Sequence, residues 1–172
     1  MKTIQRTWPR AWLVVALTIL GVTGCAAVIS QDTLKTVDKE IRFEQVLENP
    51  DAYRGKVVLL GGGIIKTENV PDKTVITVLQ RSLGYNQKPD SEGESKGRFI
   101  VSTPDFLDPA IYRPGRKITV VGSVMGKEVR PLGELEYTYP VIEKKELHIW
   151  PVEGAPATSP RFHFGIGIGK TF

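Results

Sequence analysis

An apolar run near the N-terminus ends close to the chain's one cysteine, and this placement constrains how the rest of the chain can fold. Lys2, Arg6 and Arg10 precede the run, which extends from Ala11 to Val22. A basic stretch, an apolar run and a small-residue end form the layout of a secretory signal. A transmembrane helix needs about 20 apolar residues, so this shorter run predicts a signal rather than a permanent span. With one cysteine no intramolecular disulfide can form, and the exported fold must depend on its packed core.

Residues 22–25, Val-Thr-Gly-Cys, resemble the bacterial lipobox, in which the cysteine thiol is acylated and the chain is cut before it. The resemblance predicts a signal peptide over residues 1–24, a lipid on Cys25 and a membrane as the first partner. A single acyl chain holds a protein only marginally, and the three chains of a mature bacterial lipoprotein meet that need. Ala26 stands where an aspartate commonly retains such proteins at the inner membrane, which favours the outer membrane of a Gram-negative bacterium.

The charge of the exported chain argues against one class of partner. The precursor carries a formal charge of +4, but the predicted signal holds three of its 23 basic residues and no acidic ones, leaving 20 against 19 acidic residues. General nucleic-acid binders carry a broad basic footprint. We therefore expect no nucleic-acid partner.

The remaining sequence divides into a tether, one domain and a tail. Residues 25–41 are polar without a sustained period, which predicts a lipidated tether. Residues 42–150 form the predicted domain, which opens with a short helix that places Phe43, Val46 and Leu47 on one face and ends at Pro50. Residues 151–172 are a proline-rich linker and a glycine-alternating tail. The tail is either disordered or a segment that adds to a sheet edge or contacts a membrane or barrel partner.

Strand patterns fill the predicted domain. Residues 56–65 form an aliphatic run bent at Gly61, Gly62 and Gly63, and residues 116–126 and 135–141 alternate between two faces. Further strands are predicted at residues 73–80, 97–101 and 142–150. With 17 glycines and 12 prolines to make turns, the pattern predicts an all-β fold. The expected architecture is a small antiparallel OB-like Greek-key barrel with one short helix.

No catalytic or metal constellation emerges, so we expect neither an enzyme nor a cofactor. His148 is the one histidine of the predicted domain and fits a structural place beside Trp150. Asp105 and Asp108 have the spacing of paired acids, but Thr103 as an N-cap with Pro104 after it favours one turn of helix as the explanation of the segment. A site built from carboxylates alone stays open, with Glu134 and Glu136 as further members or as solvated charge.

One set of side chains is a candidate ligand face. OB folds stack sugars or single strands on aromatic residues, and this chain offers Tyr137 and Tyr139 with Arg98 and Arg116 nearby in sequence. The alternative is that most of these side chains belong to the core.

A succession of short pieces resembles the Slp family of starvation-inducible outer-membrane lipoproteins. The pieces, in chain order from about residue 43 to 150, lie at residues 49–56, 61–65, 97–99, 106–109, 112–116, 120–122, 133–134 and 137–141, and residues 148–150 resemble the family's closing His-Leu-Trp. The resemblance implies an outer-membrane lipoprotein of Gram-negative bacteria that is associated with starvation and stress. We expect the anchored domain to face the periplasm. It brings no catalytic residues to this chain.

Three functions follow as hypotheses. The first is a non-catalytic protein that supports the envelope, and the second is a module that binds an oligosaccharide, a small ligand or another envelope protein. The third is a carboxylate-dependent hydrolase that acts on envelope polymers.

Overall fold

Five strands form a closed barrel in the order β1-β2-β3-β5-β4 in the computed structural model, which describes residues 28–152. Two helices, α1 (Gln31–Lys35) and α2 (Phe43–Glu48), and a 3₁₀ turn (Pro50–Tyr53) precede the strands. The strands are β1 (Val57–Val70), β2 (Lys73–Gln80), β3 (Arg98–Thr103), β4 (Lys117–Leu132) and β5 (Leu135–Ile149). The predicted all-β, OB-like class is confirmed.

The glycine run bends β1 so that it serves two neighbours. Residues 57–63 pair with β4, residues 62–70 pair with β2, and the register shifts just after the run, between Ile64 and Lys66. A Cβ on Gly62 would overlap the backbone carbonyl of Leu79. Glycine is therefore required at position 62, where the backbone of β2 lies close to β1.

One pair of strands differs from the antiparallel prediction. β3 and β5 run parallel, with Ile100 opposite Val141 and Ser102 opposite Glu143, whereas the other four pairs are antiparallel. The reason is geometric. A closed ring with an odd number of strands cannot alternate direction at every interface, so five strands must leave at least one parallel pair, and here it is β3 with β5.

Two chain segments contribute apolar side chains to the barrel core. From α2, Phe43 packs against Phe99 of β3, with ring centroids 5.9 Å apart. From the connection between β3 and β4, Leu107 and Tyr112 pack against the same core. The turn of helix expected after Thr103 is absent, because side-chain hydroxyls satisfy this backbone instead: the Leu107 N–H donates to Thr74 Oγ1 and the Asp105 N–H to Thr103 Oγ1.

The prediction of a tether over residues 25–41 was wrong for the part that the structure describes. Ile29 is fully buried, and Ser30 donates from its N–H and its hydroxyl to the two carboxylate oxygens of Glu146, at 2.8 and 2.7 Å. Further along, Asp38 and Val57 exchange two hydrogen bonds. The segment over residues 28–41 is therefore attached to the folded unit through Ile29, Ser30 and Asp38. A single buried isoleucine gives no periodic pattern, so the burial of Ile29 could not be predicted from the sequence.

Several predictions concern residues outside the described range. These are the signal over residues 1–24, the lipidation of Cys25 and the glycine-alternating tail. Among residues 28–152, no helix is long and apolar enough to cross a membrane.

Candidate functional site

OB barrels hold their ligands on the outer face of β2 and β3. In this chain, side chains of the protein's own β4–β5 hairpin cover that face. Val75 of β2 and Ile100 of β3 point away from the main core, yet only 4% and 1% of their surfaces are exposed. Tyr139 of β5 packs on both, is itself 4% exposed, and forms with them a second apolar cluster. Tyr139 therefore occupies the part of the sheet face that a ligand would contact.

Tyr137 completes this cover. Its ring stands edge-on to that of Tyr139 with centroids 4.7 Å apart, a favourable arrangement for two aromatic rings. Its Oη accepts a hydrogen bond of 3.0 Å from the backbone N–H of Arg98. A Cβ on Gly97 would lie within 2.6 Å of that Oη, so glycine leaves room for the phenol. The Tyr137 hydroxyl is therefore committed to a hydrogen bond within the barrel.

A row of charges connects the β4–β5 hairpin to β1 across the same face. Arg130 Nε donates to Glu128 Oε1 at 2.8 Å, and Arg130 Nη1 lies 3.8 Å from Glu68 Oε2. On β1, Lys66 Nζ contacts Glu68 Oε1 at 2.7 Å. Partly exposed pairs of this kind contribute little stability one by one. They hold the outer part of the β4–β5 hairpin against β1.

Arg116 does not join the other candidate residues. It precedes β4, and its guanidinium donates to the backbone carbonyls of Trp150 and Ile111 at 2.8 and 3.3 Å. Tyr137 pairs with Arg130 near the opposite end of that strand. Of the four predicted residues, the structure therefore brings together Tyr137, Tyr139 and the backbone of Arg98, and it assigns Arg116 to joining the chain before β4 to the end of β5.

The two aspartates that could have been paired acids have separate structural partners. The Asp105 carboxylate contacts Lys144 Nζ at 2.7 Å, and this hydrogen bond and charge lower the pKa of Asp105 below its usual range. Asp108 Oδ1 accepts the backbone N–H of Ala110 at 2.8 Å, as in an Asx turn. A general acid needs a raised pKa rather than a lowered one. The arrangement is that of turns and ion pairs.

The remaining candidates for chemistry lie apart. The His148 ring stands edge-on to Trp150, with centroids 4.7 Å apart. Glu134 and Glu136 are exposed near the tip of the hairpin. Between residues 28 and 152, no three His, Cys, Asp or Glu side chains stand close enough to hold a metal ion.

A second part of the barrel's outer surface is covered by the loop between β2 and β3. Trp150 Nε1 donates to Thr119 Oγ1 at 2.9 Å, and the Thr119 hydroxyl donates to the carbonyl of Gln87 in that loop at 2.7 Å. Leu83 and Pro89 of the loop approach Gly61 so closely that a Cβ there would collide with them. Neither this packing nor the contact between Glu68 and Arg130 was predictable from local sequence patterns, because each pairing depends on strand register.

The fold defines a class: an OB-type barrel whose usual ligand face is occupied by side chains of its own β4–β5 hairpin. The chain belongs to the outer membrane lipoprotein Slp family, which matches residues 22–166. It is therefore an envelope lipoprotein of the outer membrane, and the resemblance seen in the sequence is confirmed.

Two relatives and one solved structure give the range of similarity. A Haemophilus influenzae protein is 33% identical over 135 residues, covering 76% of this chain and 70% of its own length. The Escherichia coli lipoprotein YeaY is 25% identical over 131 residues, covering 76% and 67%. The mitochondrial single-stranded DNA-binding protein Rim1 of Saccharomyces cerevisiae matches 55% of this chain and 94% of its own, at 13% identity and a TM-score of 0.35.

Proposed function

We propose that this lipoprotein is acylated at Cys25 after removal of residues 1–24 and supports the envelope as a non-catalytic component. In this proposal the barrel faces the periplasm, and its role belongs to starvation and related stress. The observation that carries the proposal is the covered sheet face, where Val75, Ile100 and Tyr139 are buried. A barrel that fills its own ligand face is suited to a structural role.

The arrangement of ionisable groups supports the absence of catalysis. Among residues 28–152, hydrogen-bonding partners lower the pKa of the Asp51, Asp105 and Glu146 carboxyl groups. Such carboxylates stay ionised at neutral pH and form structural contacts. A carboxylate hydrolase would need one group kept protonated near neutral pH.

We propose further that nucleic acid is not a partner. Beyond the predicted signal, 20 basic residues stand against 19 acidic ones. Single-strand binders combine a basic groove with exposed aromatic rings, whereas Tyr139 is buried and the Tyr137 hydroxyl is hydrogen-bonded within the barrel.

The anchor is tested by fractionating membranes and measuring the mass of the mature N-terminus, for the native chain and for Cys25→Ser. The expected result is a triacylated Cys25 in the outer-membrane fraction and loss of that fraction in the variant. An uncleaved or unmodified N-terminus would contradict the proposal.

The envelope role is tested in a strain that lacks the gene, complemented with the native chain or with Cys25→Ser. During starvation we expect the outer membrane of the uncomplemented strain to admit more of a hydrophobic dye, and only the native chain to restore the barrier. Equal dye uptake in all strains would argue against an envelope role.

The oligosaccharide-binding alternative is tested with the purified protein. Titration of the native chain with envelope glycans should give no saturable binding. Saturable binding that Tyr139→Ala abolishes without unfolding the barrel would favour the binding module instead.

A further inference from the structure

The first described residues are fastened to the barrel wall. Ile29 is buried completely, and Glu146 of β5 accepts two hydrogen bonds from Ser30. Hydrogen bonds from the Thr33 hydroxyl and from Ser30 lower the pKa of Glu146, against the opposing effect of burial. The carboxylate is therefore ionised at neutral pH and holds Ser30 to β5.

Very little chain separates this fixed point from the proposed lipid. Cys25 precedes Ile29 by four residues, and a fully extended chain spans at most about 3.5 Å per residue. The lipidated cysteine can therefore lie no more than about 14 Å from Ile29. A domain of about 100 residues has a radius of gyration of about 13 Å, so this reach is no larger than the barrel itself.

We propose that the barrel is seated directly on the phospholipid surface, with the wall that carries Ile29, α1 and the Ser30–Glu146 contact turned toward the headgroups. This inference rests on the proposed acylation of Cys25. A domain on a long flexible tether could rotate freely and move tens of ångströms from the membrane. This barrel would instead keep one side turned toward the membrane.

The charges on this side of the barrel predict how strongly its seating depends on anionic lipids. The exposed Lys35 is paired with Asp32 at 2.7 Å, and Lys39 is followed by Glu40. On the neighbouring strand, Lys145 precedes the ionised Glu146. Positive and negative groups are interspersed, so the lipid anchor and short chain hold the wall in place, and the content of anionic lipid should matter little.

The test uses the full acylated chain in vesicles of phosphatidylethanolamine and phosphatidylglycerol, with a fluorophore on Lys145→Cys. Lys145 is exposed and lies next to Glu146. A nitroxide on the lipid headgroups quenches fluorophores near the surface. We expect strong quenching that changes little when phosphatidylglycerol is omitted.

Two insertions provide the comparison. Twenty Gly/Ser residues between Ala27 and Val28 add a mean span of about 25 Å and should abolish most of the quenching. The same insertion after Gly133, in the exposed turn of the β4–β5 hairpin, leaves the anchor length unchanged and should retain it.

Mass spectrometry of each sample separates the two proposals. Acylated Cys25 with weak quenching in the native chain, or with quenching unaffected by the insertion before Val28, would overturn the seating and leave the anchor intact. An unacylated Cys25 would overturn both.

Discussion

Replacing Ile29 by alanine tests whether the segment after the lipidation site is part of the fold. Ile29 has no exposed surface. Burying an isoleucine stabilises a protein by about 1.5–3 kcal/mol, and truncation to alanine in a packed site costs about 2–5 kcal/mol. Because Ile29 lies near the start of the folded unit, where neighbouring chain relaxes more easily, we expect a loss of about 2–3 kcal/mol in the free energy of unfolding.

The assay is urea unfolding followed by circular dichroism, in a chain without the signal and with Cys25→Ser. For a small domain with a denaturant dependence of about 2 kcal/mol per molar urea, this loss lowers the midpoint by about 1–1.5 M. Ile111→Ala is the matched control, because Ile111 is 51% exposed and should shift the midpoint little. Equal midpoints for the two variants would refute the conclusion that the segment around Ile29 is part of the folded unit.

Three further predictions concern the hairpin and the N-terminal contact. Tyr137→Phe leaves a backbone N–H without its acceptor and should lower stability by about 1 kcal/mol, measured by thermal unfolding; an unchanged melting temperature would contradict the hydrogen bond. Gly122→Ala places a Cβ against the Glu143 carbonyl and should cost more than about 2 kcal/mol in urea, whereas Gly63→Ala has open space and should cost far less. The lowered pKa of Glu146 contributes stability above its unfolded value near 4.5, and this is lost as pH falls through the folded pKa. Glu146→Gln should therefore weaken the pH dependence of the melting temperature below pH 4.5, and an unaltered dependence would count against the contact.

The strands were predictable where the sequence repeats a simple local pattern. The alternating segment around Tyr137 and Tyr139 lies in β5. The glycine run at residues 61–63 lies in β1. The helix over Phe43–Glu48 was also predictable, because its apolar residues fall on one face and a proline follows closely. These features depend on neighbouring residues alone.

The features that the sequence concealed all depend on distant partners. Ile29 gives no periodic signal, although it is completely buried. The contact between Glu68 and Arg130 requires the curvature of two strands. Aromatic spacing suggested a ligand face at Tyr139, but the same spacing suits a side chain that covers the sheet, and only its burial distinguishes the two.

The contact between Ser30 and Glu146 joins positions 116 residues apart, and this separation orders events during biogenesis. Contacts so distant in sequence form slowly, because a large loop must close first. Until β5 is in place, Ser30 has no Glu146 carboxylate to bind. With Cys25 acylated as we propose, the N-terminal segment would therefore bring the barrel to the lipid surface only after the last strand has formed.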